Sequence, residues 1–211
     1  MEKTIFSFRR VEKKYPITLS QQAALLSIIG KYLIPDSHGK STICSLYLDT
    51  PSWRLIRESI DAVSYKEKLR IRSYGTPDLQ TPVFLEIKKK YKGVVSKRRI
   101  KLPLCQVMDY VQGGEKPCTG QIAQEIDYAL RFYNNPQPAM LIACEREACF
   151  GRHDPNLRIT FDRDIRCRHT ELRMEAGSQG KSLLPPDKVL MEIKTAGAMP
   201  LWLAEALDEL S

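Results

Sequence analysis

The sequence predicts an α+β fold: an antiparallel sheet large enough to curl into a β-barrel, with helices on its periphery. Three observations carry this. Segments alternating apolar and charged residues recur along the chain, as in 65–74, 82–90 and 94–102. Successive side chains of a strand point to opposite faces, so such alternation marks half-buried strands. Short turn segments, "TPD" (76–78) and "YKG" (91–93), join three of them, which makes a meander of antiparallel neighbours. The helical stretches are fewer and fall between strands, the order expected of α+β rather than of a parallel α/β fold.

In chain order, 5–15 alternates well enough for a strand. "TLSQQAALLSIIGKYL" follows as a helix. Thr18 and Gln21 have capping-box spacing, Leu25, Ile28, Ile29, Tyr32 and Leu33 form an apolar stripe, and Pro35 is expected to stop it. Residues 42–50 read as a strand and "SWRLIRESI" as a short helix. After the meander, "LCQVMDYVQGG" is a short helix and "TGQIAQEIDYALRFY" a longer one, with Thr119 as the expected N-cap. Strands over 139–150, 157–168 and 188–195 come next, then a terminal amphipathic helix, "LWLAEALDEL". The stretch 175–187 reads as a flexible loop.

At 211 residues with 43% hydrophobic content, the chain can bury a sizeable core as a single domain, 1–211. No apolar run is long enough to span a bilayer, and "MEKTIFSFRR" lacks a signal-peptide core, so a soluble cytoplasmic protein is expected. The six cysteines form no CxxC pair, which argues against disulfides and a zinc site and for small buried residues. There is no P-loop and no nucleophile elbow, and the three histidines lack metal-site spacing.

A net charge of +8 calls for an anionic partner. Sorted by parity, the polar face carries Arg10, Glu12 and Lys14; then Lys68, Arg70 and Arg72; Glu86, Lys88 and Lys90; Lys97, Arg99 and Lys101; and later Arg146, Arg158 and Lys194. A solvated sheet face mixes signs, because like charges directly opposite one another are destabilising. A surplus of cations on strand after strand suits a polyanion, with arginine forks and lysine point charges for phosphate oxygens. The acids Glu12, Glu86 and Glu192 each precede a lysine by two residues. Each is either an ion-pair partner or a ligand for a divalent metal bridging to phosphates, and Glu192 is the best candidate for the latter. RNA ranks low, because Phe84 and Tyr74 are exceptions on a face with few aromatics for stacking bases.

"RVEKKY" (10–15), "SLYLDT" (45–50), "KLRIRSYG" (68–75), "FLEIKKK" (84–90), "SKRRIKL" (96–102), "LRITFD" (157–162) and "LMEIK" (190–194) occur in the order found in the VTC domain, which this chain resembles over nearly its whole length. That is the polyphosphate polymerase branch of the triphosphate tunnel metalloenzymes (CYTH-like). The resemblance implies a basic triphosphate tunnel of antiparallel strands. It also implies ATP and inorganic polyphosphate as partners and Mn2+ or Mg2+ as cofactor, with transfer of the terminal phosphate of ATP to a growing polyphosphate chain.

Carried over by motif, Lys14, Arg70, Arg72, Lys88, Lys97, Arg146 and Arg158 would act on the phosphates. Arg10, Lys90, Arg99 and Lys194 would serve cofactor binding, and Glu192 would hold the metal, with Glu86 and Glu12 as further candidates. Tunnel hydrolases open with two glutamates and a lysine at alternate positions. Arg10 replaces the first glutamate here, which favours the polymerase branch over a triphosphatase or polyphosphatase. A non-catalytic polyphosphate-binding module is the other alternative. The family has a further basic strand beyond the last helix, so the C-terminus at Ser211 is read as truncated.

Overall fold

The structure is a computed structural model that describes residues 11–92 and 94–209. The first half of the expected N-terminal strand, with Arg10, lies outside the described residues. The elements are β1 (Val11–Thr18), α1 (Leu19–Ile29), β2 (Leu33–Asp49), α2 (Arg54–Ile60), β3 (Tyr65–Tyr74), β4 (Pro82–Tyr91), β5 (Val94–Pro103), α3 (Leu104–Val111), α4 (Gln121–Phe132), β6 (Gln137–Gly151), β7 (Arg158–Arg168), β8 (Lys181–Ser182), β9 (Lys188–Thr195) and α5 (Leu201–Asp208). The strands run in the hydrogen-bonded order β1-β9-β7-β6-β2-β3-β4-β5, with β8 on β7.

The sheet is mostly antiparallel with a few helices, as expected, but it is not closed into a barrel. β1 and β5 end the order, and no pairing joins them among the described residues. Alternation specifies which face of a strand is buried. Closure depends in addition on strand tilt and shear, which alternation does not encode. Both end strands carry features that keep open edges from pairing with other chains: lysines and Pro16 on β1, and a run of lysines and arginines on β5.

Several local expectations hold. Thr18 Oγ1 accepts from the Gln21 amide at 3.0 Å, and Gln21 Oε1 accepts from the Thr18 amide at 2.9 Å, completing the capping box of α1. Others are corrected. Pro35 does not stop α1; the helix ends at Gly30, a 3-10 turn follows, and Pro35 lies within β2. Proline bars a helix interior, but its fixed φ suits an extended chain. Thr119 does not cap α4. Gly120, at φ 106°, stands at that position with no side-chain cap. The loop read as flexible holds a 3-10 turn (Met174–Ala176) and β8. The buried Arg168 guanidinium orders its surroundings by donating to the carbonyls of Glu171, Arg173, Gly177 and Gln179.

The chain gathers into two compact units, residues 1–41, 144–165 and 182–211, and residues 42–143 and 166–181. Each has its own core. In the first, Leu25 and Ile29 of α1 and Leu203 of α5 pack on Ile159, Phe161, Met191 and Ile193 of the sheet. In the second, Leu69, Ile71, Val83, Leu85 and Ile87 pack beneath Leu104, Val107, Ile126 and Leu130. Fully burying each such side chain contributes roughly 1.5–3 kcal/mol, which pins the apolar face inward and leaves the charged face free of the core. Among the described residues, no helix is long and apolar enough to cross a membrane.

Candidate functional site

The predicted residues fall into one set in each unit. In the second unit, β3, β4 and β5 pair in a register that stacks same-face side chains into rungs. Lys66 stands opposite Lys90, Lys68 opposite Lys88 and then Lys97, Arg70 opposite Glu86 and then Arg99, and Arg72 opposite Phe84 and then Lys101. The cation face inferred from parity is therefore a real ladder of adjacent side chains, with one acid in it. Its reverse side carries the buried aliphatics Leu69, Ile71, Leu85 and Ile87.

That acid, Glu86, is 1% exposed. Its Oε2 accepts from Arg70 Nε and NH2, both at 2.8 Å, and Lys97 Nζ lies 2.5 Å from its Oε1. Burial raises the Glu86 pKa, but Arg70 and Lys97 more than reverse this, so the carboxyl titrates below its usual range and stays ionised. Burial drives Lys97 the other way, with Arg70 and Arg72 adding repulsion that its bond to Glu86 only partly offsets. Its pKa falls from 10.5 to about 8.

Tyr47 of β2 completes the cluster. Arg70 NH1 donates to its hydroxyl at 3.3 Å and the guanidinium lies 5.9 Å from its ring centroid. Burial raises the Tyr47 pKa, and Arg70, Arg72 and Lys68 lower it further than that, for a net decrease. Arg72 Nε reaches Ser45 Oγ at 3.4 Å.

In the first unit, β1, β9 and β7 make similar rungs: Lys14, Glu192 and Thr160; and Glu12, Lys194 and Arg158. Between β1 and β9 each acid stands opposite a lysine. Glu192, 8% exposed, lies 3.1 Å from Lys194 and 3.9 Å from Lys14, and Lys194 also lies 3.9 Å from Glu12. Burial raises the Glu192 pKa; Lys194, Lys14 and Arg146 more than offset it, and the net shift is downward. Arg146 donates both prongs of its fork to Asp162, Nε to Oδ1 and NH2 to Oδ2, each at 2.6 Å. Arg158 NH2 donates to Asp36 Oδ2 at 3.2 Å, and its guanidinium lies 5.0 Å from the Phe150 ring centroid.

The three acids proposed as metal ligands are thus not equivalent. Glu86 is held more tightly, with Arg70 on Oε2 and Lys97 2.5 Å from Oε1. Glu192 and Glu12 flank one lysine from adjacent strands, a donor pair suited to a divalent ion that takes one or two carboxylates and completes its shell with substrate oxygens and water. Among the described residues, no group of three His, Cys, Asp or Glu gathers into an all-protein metal cage.

Sequence reasoning missed three partners. Tyr47 stands directly opposite Arg70 across β2 and β3, but cross-strand register is not written in either strand's own alternation, and Asp36 carried no signal. Asp49, in the "SLYLDT" stretch, serves α2: its carboxylate accepts from the amides of Leu55 at 2.9 Å and Ile56 at 3.0 Å.

Comparison with solved structures bears on the fold. A candidate adenylate cyclase from Vibrio parahaemolyticus matches with a TM-score of 0.53 at 12% identity, covering 98% of this chain and 86% of that one. A candidate adenylyl cyclase from Hippeastrum with a dominant triphosphatase activity gives 0.49 at 12% identity, covering 95% and 84%, and adds nothing to the first. At such identity the likeness is one of fold: a mostly antiparallel sheet with peripheral helices. No curated protein matches the chain significantly. The VTC domain model matches residues 9–210, and the chain belongs to the VTC domain family.

Proposed function

We propose that this VTC domain is an ATP-dependent inorganic polyphosphate polymerase working in the cytoplasm. The observation that carries the reading is the β3–β4–β5 ladder, where Lys68, Lys88, Lys97, Arg70, Arg99 and Arg72 stack on neighbouring rungs. Such a column of like charges costs stability unless a polyanion neutralises it, and a linear phosphate chain meets it rung by rung. Membership of the VTC family supports phosphate chains over nucleic acid.

In this reading a terminal oxygen of the polyphosphate chain attacks the γ-phosphorus of ATP. The bond from that phosphorus to the β,γ-bridging oxygen breaks, and ADP leaves with the electron pair. The protein supplies position and charge, as phosphoryl transfer requires. Arg70, braced by Glu86 and Tyr47, presents a guanidinium that needs no reorganisation. On the same ladder Lys88 and Lys97 neutralise further oxygens and Lys90 and Arg99 extend the cationic surface; in the other unit Lys14, Arg158 and Lys194 offer cations to phosphate oxygens. Arg146 contributes through Asp162, which its fork holds on β7. Glu192, with Glu12, would hold Mn2+ or Mg2+, which when bound neutralises phosphate charge.

The test is to incubate the protein with ATP and Mn2+ and analyse products. A polyphosphate ladder on a gel with matching ADP release is expected. Orthophosphate without chain growth would make the protein a triphosphatase. Polyphosphate binding without turnover would make it a binding module.

A further inference from the structure

The ladder has an aromatic end. Tyr74, the last residue of β3, and Phe84 of β4 meet edge to face, with ring centroids 6.1 Å apart at 87°. Phe84 occupies the ladder position between Arg72 and Lys101. The Arg99 guanidinium lies 4.6 Å from its ring centroid and the Lys101 ammonium 5.9 Å. Tyr74 is 51% exposed. Neither ring belongs to the aliphatic core on the other side of the sheet. An exposed tyrosine edge-on to a half-buried phenylalanine, beside arginines, is the composition used to stack nucleobases.

The position matters as much as the composition. Rungs two residues apart repeat about every 7 Å along a strand, so the Arg70–Glu86–Arg99 and Lys68–Lys88–Lys97 rungs extend roughly 14 Å beyond Phe84. That is room for a ribose and a row of phosphates laid along the cations, with a base left at the aromatic end. An inorganic phosphate chain has no use for aromatic rings there. A ligand with phosphates at one end and a flat π-system at the other uses both.

We propose that Tyr74 and Phe84 form the nucleobase subsite, stacking the base of a nucleoside triphosphate whose phosphates run from Arg72 toward Lys88 and Lys97. This rests on the phosphate-binding reading of the ladder, and it adds a direction. The nucleotide enters with its base at the Tyr74 end and its terminal phosphate toward the Lys68–Lys88–Lys97 rung. The subsite stacks rather than reads hydrogen-bonding edges, so adenine and guanine nucleotides bind comparably.

The experiment measures binding without turnover. Adenosine 5′-(β,γ-imido)triphosphate and inorganic tripolyphosphate are titrated by calorimetry into the wild type, Tyr74→Ala, Tyr74→Phe and Phe84→Leu, each with a melting curve. Tyr74→Ala should weaken the nucleotide roughly 5- to 100-fold, the usual worth of one base stack. Tripolyphosphate affinity should stay the same, and Tyr74→Phe should restore the nucleotide. Phe84→Leu should act in the same direction, which keeps the test open should either variant fold poorly. Equal weakening of both ligands, or no change in either, overturns the subsite. Failure of tripolyphosphate to bind the wild type overturns instead the phosphate reading of the ladder.

Discussion

Glu86 and Glu192 are both nearly buried glutamates placed among cations on the charged face of a sheet, yet their surroundings differ. Glu86 is tightly held: Arg70 lies 2.8 Å from its Oε2 and Lys97 2.5 Å from its Oε1. Glu192 is held by Lys194 at 3.1 Å and only distantly by Lys14, whose side chain is 59% exposed. The tightly held carboxylate, clamped on Oε2 by Arg70 and approached on Oε1 by Lys97, acts as a brace. The loosely held one can exchange a lysine for a metal without leaving a buried charge unpaired. Identical residue types two positions before a lysine are therefore clamped in one unit and loosely held in the other.

The comparison breaks most visibly at Glu86. Glu86→Gln leaves Arg70 and Lys97 facing each other with no carboxylate between them. The expected loss is about 3 kcal/mol, near the low end for a broken buried pair because Lys97 is 39% exposed and can turn to water. Urea denaturation reads it directly. A loss under about 0.5 kcal/mol, the range of an ordinary surface change, would remove the brace.

At Glu192 the expected signature is reversed. Glu192→Gln should lose less stability than Glu86→Gln and still bind tripolyphosphate, while turnover drops on the order of 100-fold as phosphate charge goes unneutralised. Turnover measured against Mn2+ concentration separates this from a simple ion-pair role. An active variant with unchanged metal dependence would take Glu192 out of the metal site.

Lys97 sharpens the contrast through pH. With its pKa near 8, it loses charge as pH rises through 8, so tripolyphosphate affinity should fall between about pH 7 and 9. The effect on stability has the opposite sign. Between pH 8 and 10.5 the unfolded chain binds more protons at this site than the folded one, so this lysine's contribution to stability rises with pH across that window. Lys97→Arg should flatten both dependences; an affinity profile unchanged by that substitution would show that another group titrates. Glu86 and Glu192, both shifted below 4.5, add stability that is full above that pH and is lost as pH falls through their lowered values.

The smallest effect belongs to Lys14. Its 3.9 Å pairing to Glu192 is solvent-exposed and should be worth under about 0.5 kcal/mol, so Lys14→Ala should leave the melting curve almost unmoved while weakening tripolyphosphate. A clear destabilisation would make Glu192 a second brace and erase the difference between the two units.

Strand identity was legible because half-buried strands write their period into the sequence. β3, β4, β5, β7 and β9 fall within a residue of their expected bounds, and the residues on the cationic face are those parity selected. Family membership was legible for a related reason: seven short motifs retain their order even though each is weak alone.

Tertiary structure alone decided three things. It left the sheet open, since closure depends on tilt and shear summed over every strand. It divided the acids into brace and candidate ligand, because two glutamates with the same local pattern differ only in how closely cations from neighbouring strands reach them. It also recruited Tyr47, Asp36 and Asp162 to the arginines, contacts that join residues 16 to 122 positions apart and so leave no trace in any local window.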